Sequence, residues 1–292
     1  MSKKEMSNVD LELVRTEIEI LKVCQHPNII RIYDIFENMD SYYIFMEFCD
    51  GGDLFTRLEK TKFKIPEKKA ASYIHQILAA LCYLHEYGIT HRDLKPENIL
   101  MDTEGYLKLA DFGMSKKLKE NEKAMSFCGT PEYLSPEVLH GTGHDHSADW
   151  WSFGIILYEM LCSIPPFYSR EVDKMFEFIK TSELKFKPQY KVSADAQDII
   201  TKLLQRDPSK RLGSKGGLNE IKSHPFFEKV NFELVLAKKE KAPFIPVLQN
   251  KFDVGNFDEE FTSEIPDLDR RESFVPNLDL IKKNQDKFKE FK

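Results

Sequence analysis

The ten residues from His91 to Leu100 carry an aspartate, a lysine and an asparagine at positions 93, 95 and 98. A second aspartate stands eighteen positions after the first, in Asp111-Phe112-Gly113. These residue types suit the movement of a phosphoryl group. A γ-phosphoryl in flight spreads negative charge over its oxygens, so a protein contributes cations and alignment more than bond-making power. An aspartate can accept a hydrogen bond from an acceptor hydroxyl and orient it. An asparagine and a second aspartate offer the hard oxygen ligands that Mg²⁺ prefers. The strand-like run Tyr106-Leu107-Lys108-Leu109-Ala110 leads into Asp111.

His91-Arg92-Asp93-Leu94-Lys95-Pro96-Glu97-Asn98, Asp111-Phe112-Gly113 and Ser135-Pro136-Glu137 follow one another in that order. In this the chain resembles the eukaryotic protein kinases. The resemblance implies ATP and Mg²⁺ as cofactors. Asp93 would be the residue that accepts the substrate proton, and Lys95 a positive charge near the transferred group. Asn98 and Asp111 would be the metal ligands. Lys95 also argues for serine and threonine acceptors. The implied fold is α+β, a protein-kinase-like bilobal fold with a truncated small lobe of one helix and two strands, and a mainly helical large lobe. The expected boundaries are 1–50 for the small-lobe remnant and hinge, 51–226 for the large lobe, and 227–292 for a C-terminal tail.

Composition bounds the alternatives. With 292 residues, 41 % hydrophobic and 31 % charged, the chain has the profile of a soluble globular protein. No apolar run approaches the length of a membrane span, and the start Met1-Ser2-Lys3-Lys4 has no signal-peptide core, so a cytoplasmic or nuclear location is expected. Five cysteines without CxxC spacing indicate neither a disulfide framework nor a zinc site. A net charge of −6 gives no invitation to nucleic acid and suits basic protein substrates.

The elements that must position this chemistry can be read upstream. Leu11, Val14, Ile18 and Leu21 recur at helical spacing, which predicts a helix over 8–24 entered through Asn8 or Asp10. Two strands, 29–36 and 42–48, should follow across the turn at 37–40. By resemblance this is the mobile helix of the small lobe, with Glu17 at the position that normally pairs with a lysine. No glycine cluster precedes Gly51-Gly52, and no lysine in the family's phosphate-gripping position is evident, so Glu17 is expected to lack a partner. Phe45 to Cys49 resembles the hinge, where the backbone of Glu47 and Cys49 would bond adenine with Met46 behind it. Asp53 falls where ribose or a substrate arginine is commonly met. Residues 67–86 form a long apolar face and should be a buried helix. Leu21, Ile32, His91 and Phe112 would stack into the spine linking the lobes.

Ser126-Phe127-Cys128-Gly129-Thr130-Pro131-Glu132-Tyr133-Leu134 closely resembles the activation segment of the AGC group of kinases, whereas residues 8–110 look closer to calcium- and calmodulin-regulated kinases. The AGC likeness implies that an upstream kinase phosphorylates Ser126, with Arg92 and Lys116 available to pair with the added charge. Glu137 and Arg211 match a buried ion pair of the family, and Asp149 is expected to cap its helix and hold the backbone near His91 and Arg92. Glu97, Asp53 and Glu159 fall where basophilic members hold substrate arginines. Phe127, Pro131 and Leu134 would floor an apolar pocket after the acceptor. Past Phe227 the chain resembles the AGC tail, with Phe257 near adenine and a docking Phe288-x-x-Phe291. Arg270-Arg271-Glu272-Ser273-Phe274 has the form of a substrate for such a site, which makes Ser273 an expected phosphorylation site. The competing expectation is a kinase-like scaffold without catalysis, motivated by the missing glycine loop and lysine.

Overall fold

In the computed structural model, residues 6–39, 41–61, 65–119, 121–239, 241–250, 253–257 and 262–263 are described. The chain divides into two compact units, Met1–Asn256 and Phe257–Lys292. The fold is α+β and kinase-like, with few strands.

The first unit opens with α1, Asn8–Val23. Its N-cap is Ser7, one residue before the expected start. Ser7 Oγ accepts the Asp10 amide at 3.2 Å, and the Asp10 carboxylate returns to the Ser7 amide at 2.8 Å. This reciprocal box satisfies two helix-end donors and is worth ~1 kcal/mol. Asp10 therefore supports the cap from the third position and is not itself the cap. Val14 and Ile18 pack with Tyr42 in a small cluster, while Ile20, Leu21 and Cys24 join the main core.

Strands β1 (Ile32–Glu37) and β2 (Tyr42–Met46) pair antiparallel with an irregularity between Ile32 and Asp34. The first strand starts three residues later than the apolar run suggested. Ile29 and Ile30 instead run beside the strand that precedes Asp111: the Ile30 amide donates to Leu109 O at 2.9 Å and the Leu109 amide to Asn28 O at 2.8 Å. Their apolar side chains are buried by that neighbour.

The large lobe is built on α3 (Glu67–Glu86), preceded by the short α2 (Leu54–Lys60) and crossed by α5 (Ser147–Cys162). α5 is apolar on nearly every side, which fits a helix buried at the centre. Trp150 and Trp151 are at most 2 % exposed, and Trp151 stacks on Phe167 at 5.8 Å, so both tryptophans are core residues. Between them run β3 (Ile89–Thr90), β4 (Ile99–Met101), β5 (Leu107–Leu109) and β6 (Lys116–Lys117), in two antiparallel pairs, β3–β6 and β4–β5. The helices α4 (Pro136–His140), α6 (Val172–Thr181), α7 (Ala194–Leu203), α8 (Gly217–Lys222) and α9 (Phe232–Leu236) complete the lobe.

Beyond the expected end of the large lobe at 226 the chain stays packed on the same unit. Phe227 is 2 % exposed and stacks with Phe226 and Phe232, and Phe232 lies against His75 of α3 at 4.0 Å. Through Phe232 this row of phenylalanines seats α9 against α3. The stretch from Lys238 to Asn256 then straps back along the same unit. Lys238 pairs with Asp102 and Glu104, Phe244 lies under the Arg57 guanidinium, and Asn256 Nδ2 donates to Asp50 O at 3.0 Å beside the hinge.

Glu137 and Arg211 form the expected buried pair, two oxygens facing two nitrogens at 2.7 and 2.9 Å. Arg211 also donates to the Ser147 and Gln205 carbonyls. All five cysteines are free thiols. Burial raises those of Cys24 and Cys162 to about 11, and those of Cys49 and Cys82 to about 12, which makes these four structural rather than reactive. Among the described residues, no helix is long and apolar enough to cross a membrane.

Candidate active site

The site grows out of two short β connections. The 3-10 turn Pro96–Asn98 runs directly into β4, and β4 pairs with β5, the strand that delivers Asp111. The Ala110 amide donates to Asn98 O at 2.9 Å, so Asp111 leaves the sheet immediately beside Asn98. Sequence separation of thirteen residues is thereby cancelled by one hairpin.

Asp93 is 7 % exposed and heavily engaged. Its Oδ1 accepts the Thr130 amide at 3.0 Å and the Thr130 hydroxyl at 2.8 Å, while its Oδ2 lies 3.2 Å from both Lys95 Nζ and Asn98 Nδ2. Lys95 also donates to Thr130 Oγ1 at 3.0 Å. Thr130 thus ties the activation segment to both catalytic candidates. Sequence reading quoted Thr130 within its motif but gave it no role, although its place next to Pro131 was the available signal.

Asn98 spends its amide nitrogen on Asp93, on both the backbone and the carboxylate. Asp111 is exposed, and its Oδ1 accepts the Gly113 amide at 3.2 Å. The amide oxygen of Asn98 and the other carboxylate oxygen of Asp111 have no hydrogen bond among the described residues. Such a pair of hard oxygens fits Mg²⁺.

Two non-glycine residues here adopt the left-handed backbone, Arg92 at φ 70° and Asp111 at φ 57°. Each costs on the order of 1–2 kcal/mol and must be held in place. For Arg92 the hold is Asp149, whose two carboxylate oxygens accept the His91 and Arg92 amides at 2.9 Å each and His85 Nε2 at 2.8 Å. Burial opposes the Asp149 charge, but the His85 bond, the charges of His85 and His91 and the Arg92 amide outweigh it and pull its pKa down to about 2. Asp149 sits inside α5 and does not cap it, since the N-cap is His146.

Glu17 forms no ion pair among the described residues; the backbone of Phe112 and the carboxylate of Asp111 are its electrostatic neighbours. Burial and that like charge together hold its pKa above the ordinary value. Phe112 is fully buried, packs with Leu21 and Ile32 in the main core and lies 5.3 Å from His91. Of the four spine residues, Phe112 and His91 are in ring contact, and Leu21 and Ile32 belong to the same core cluster as Phe112.

At the hinge, the Glu47 amide donates to Arg31 O and the Cys49 carbonyl accepts from Gly52. That leaves the Glu47 carbonyl and the Cys49 amide without a backbone partner among the described residues. The Glu47 side chain is held separately by a 2.7 Å ion pair to the buried Lys108, a residue that sequence reading passed over as part of a strand. Met46 departs from expectation. It is 46 % exposed rather than behind a pocket: Tyr42 and Ile44 on the same face of β2 pack into the small cluster with α1, and Met46, at the end of the strand, lies beyond it.

The family model described as Protein kinase domain matches residues 1–227. The chain belongs to the protein kinase family. A second model, Protein kinase C terminal domain, matches residues 248–291. Protein kinase 2 of Dictyostelium discoideum is 42 % identical over 252 residues, covering 86 % of this chain and 52 % of the relative. Human Serine/threonine-protein kinase Sgk1 is 42 % identical over 246 residues, covering 84 % and 56 %. The RAC family serine/threonine-protein kinase homolog of D. discoideum is 41 % identical over 271 residues, covering 92 % and 60 %. The kinase chain spans about half the length of the curated relatives it matches. These likenesses belong to the AGC group.

In the kinase activation segment, Arg92 Nη1 donates to Ser126 Oγ at 2.5 Å. Lys116 does not reach toward Ser126: it lies in β6 and pairs with Glu122 at 3.3 Å. Phe127 is exposed and edges against Phe176, Pro131 is half-buried and Leu134 is buried.

The expected arginine-binding acids differ in availability. Glu97 is exposed, and its pKa is held high by desolvation of its inner part and by Asp53 and Asp93, against Lys95. Glu159 is buried on α5 and accepts the Tyr133 hydroxyl at 2.7 Å. Desolvation and the charges of Glu97 and Glu132 push it up to about 7, against that hydrogen bond. Asp53 is taken by α2, where it is the N-cap: its two oxygens accept the Thr56 amide and hydroxyl at 2.7 and 2.8 Å. Phe257 opens the second unit, and Ser273 and Phe288 to Phe291 lie outside the described residues.

Proposed function

We propose that this chain transfers the γ-phosphoryl group of ATP to serine or threonine in proteins, preferring arginine before the acceptor. The observation that carries the reading is the Asp93 carboxylate, fixed by Thr130 and Lys95 beside Asn98, with Asp111 delivered to the same place by the β4–β5 hairpin. Asp93 accepts the proton of the acceptor hydroxyl, and Lys95 offsets charge on the transferred group. Mg²⁺, held by Asn98 and Asp111, would neutralise the phosphates during transfer. The Glu47 carbonyl and Cys49 amide receive adenine. The presence of Asp93, Lys95, Asn98 and Asp111 together favours an enzyme over a scaffold.

Exposed Glu97 receives one substrate arginine, Glu159 receives a second when it gives up the Tyr133 hydroxyl, and Phe127, Pro131 and Leu134 receive an apolar residue after the acceptor. Phosphate on Ser126 takes a charge-assisted bond from Arg92 and orders the segment. Ser273 is a substrate of this site or of a relative's. A positional-scanning peptide array tests the reading: signal concentrates on peptides with arginine two and three residues before serine. Uniform signal across those positions would remove the arginine preference and leave phosphotransfer standing.

A further inference from the structure

Behind the hinge, one buried ammonium joins three segments that lie far apart in the chain. Lys108 stands in the middle of β5. Its Nζ lies 2.7 Å from Glu47 Oε1 and donates to Pro27 O at 3.0 Å. Pro27 belongs to the turn that leaves α1, Glu47 is the first residue past β2, and β5 leads into Asp111. Both charged side chains are at most 15 % exposed, and among the described residues neither has another ion-pair partner within 4.0 Å.

The surroundings show what this contact does that others do not. The loop after α1 is fixed to β5 without it: Asn28 Nδ2 donates to Leu107 O at 2.8 Å, the Ile30 amide to Leu109 O and the Leu109 amide to Asn28 O. The far end of the hinge is bonded to β4, by the Gly51 amide on Met101 O at 3.0 Å and the Met101 amide on Gly52 O at 2.8 Å. At the near end, Glu47 is tied to Arg31, whose amide reaches Glu47 Oε2 at 3.2 Å and whose carbonyl accepts the Glu47 amide at 2.9 Å. The link from there to β5 is the Lys108 side chain.

We propose that Lys108 is a positioning residue for the nucleotide: by holding Glu47 to β5 it sets the spacing between the adenine-receiving backbone of the hinge and the Asp111 carboxylate three residues further along. This rests on the reading of the Glu47 carbonyl and Cys49 amide given above. The spacing matters for a ligand that meets both ends at once. Adenosine touches the hinge alone, whereas ATP with Mg²⁺ must satisfy the hinge and the metal ligands with a single length of molecule. A hinge free to shift against Asp111 still accepts each end, but it forfeits part of the gain from holding both together.

Two variants remove the link. Lys108→Met keeps the length and apolar stem and deletes the charge. Lys108→Met combined with Glu47→Gln deletes both charges, so no carboxylate is left buried without its partner. Calorimetric titration of the full chain with adenosine, and separately with ATP and Mg²⁺, reads the two cases apart without any phosphotransfer. In both variants the affinity for ATP with Mg²⁺ should fall about tenfold while that for adenosine changes by less than about twofold. Circular dichroism establishes that each variant is folded. An equal loss for the two ligands, or no loss for ATP with Mg²⁺, overturns the positioning role. Failure of both variants to fold makes the pair structural and overturns it likewise. A parent protein that does not bind adenosine removes the adenine reading itself, and the proposal with it.

Discussion

Replacing Asp149 with asparagine isolates the group on which the catalytic loop hangs. Three donors converge on this buried carboxylate, the His91 and Arg92 amides and His85 Nε2. An asparagine has one acceptor oxygen, so one or two of these donors would face an NH₂ group or nothing. A buried donor left unsatisfied costs about 1–3 kcal/mol, more where a charge has been removed as well. The charge itself can be valued from its titration. A fall from 3.8 to about 2 corresponds to about 2 kcal/mol of folding stability. Because the folded pKa is the lower one, that stability is fully present above 3.8 and is lost as pH falls toward 2. Asp149→Asn should therefore lose about 3–5 kcal/mol at pH 7 in urea unfolding, and its stability should show a shallower decline between pH 4 and 2. It should also release Arg92 from φ 70°, which an amide-exchange measurement would register at His91 and Arg92. A variant within about 0.5 kcal/mol of the parent, with the same acid slope, would refute the idea that this carboxylate holds the loop.

Glu137→Ala strands the fully buried Arg211 guanidinium and should cost about 3–5 kcal/mol, whereas Glu137→Leu combined with Arg211→Met should recover most of it; calorimetric melting of the three proteins decides. His75 is fully buried with neither ring nitrogen bonded, and burial together with Lys222 lowers its pKa to about 4. The unfolded chain thus takes the proton first, so stability is full above pH 6.5 and declines as pH falls from there toward 4. His75→Leu should flatten that decline and raise stability at pH 5, as measured by urea unfolding at pH 5 and 7.5. Ser126→Ala, compared with the Ser126-phosphorylated protein, should lose most activity toward a peptide substrate, and Arg92→Ala should abolish the difference between the two; equal rates throughout would dismiss the Arg92–Ser126 contact as a switch.

How much of this was legible depended on how local each signal is. Asp93, Asn98 and Asp111 were readable because their motifs are contiguous and their roles dictate their types. Glu137 and Arg211 were readable for the same reason. The helix at Asn8–Val23 was visible in its period, but its cap shifted to Ser7, since capping depends on which hydroxyl meets which amide. Asp53 caps α2, while the spacing of its neighbours does not say whether it meets a ligand as well. Lys116 was assigned to Ser126 and went to Glu122, six residues further on. That Glu17 stands near the Asp111 carboxylate was not legible, because the two are brought together only by the packing of α1 on the segment after β5. Lys108, Thr130 and the strap from Lys238 act through contacts spanning tens of residues, and these appear only once the chain is folded.

The central claim is that Asp93, Asn98 and Asp111 act together on one phosphoryl group. It is tested most directly by incubating the chain with Mg²⁺ and ATP and an arginine-containing serine peptide, with mass spectrometry of the peptide as readout. The account predicts phosphoserine with the parent, none above background with Asp111→Asn, and a rate lowered by about 10²–10⁴ with Asp93→Asn while nucleotide binding persists. Equal phosphate incorporation by all three proteins, or none by the parent, would contradict it.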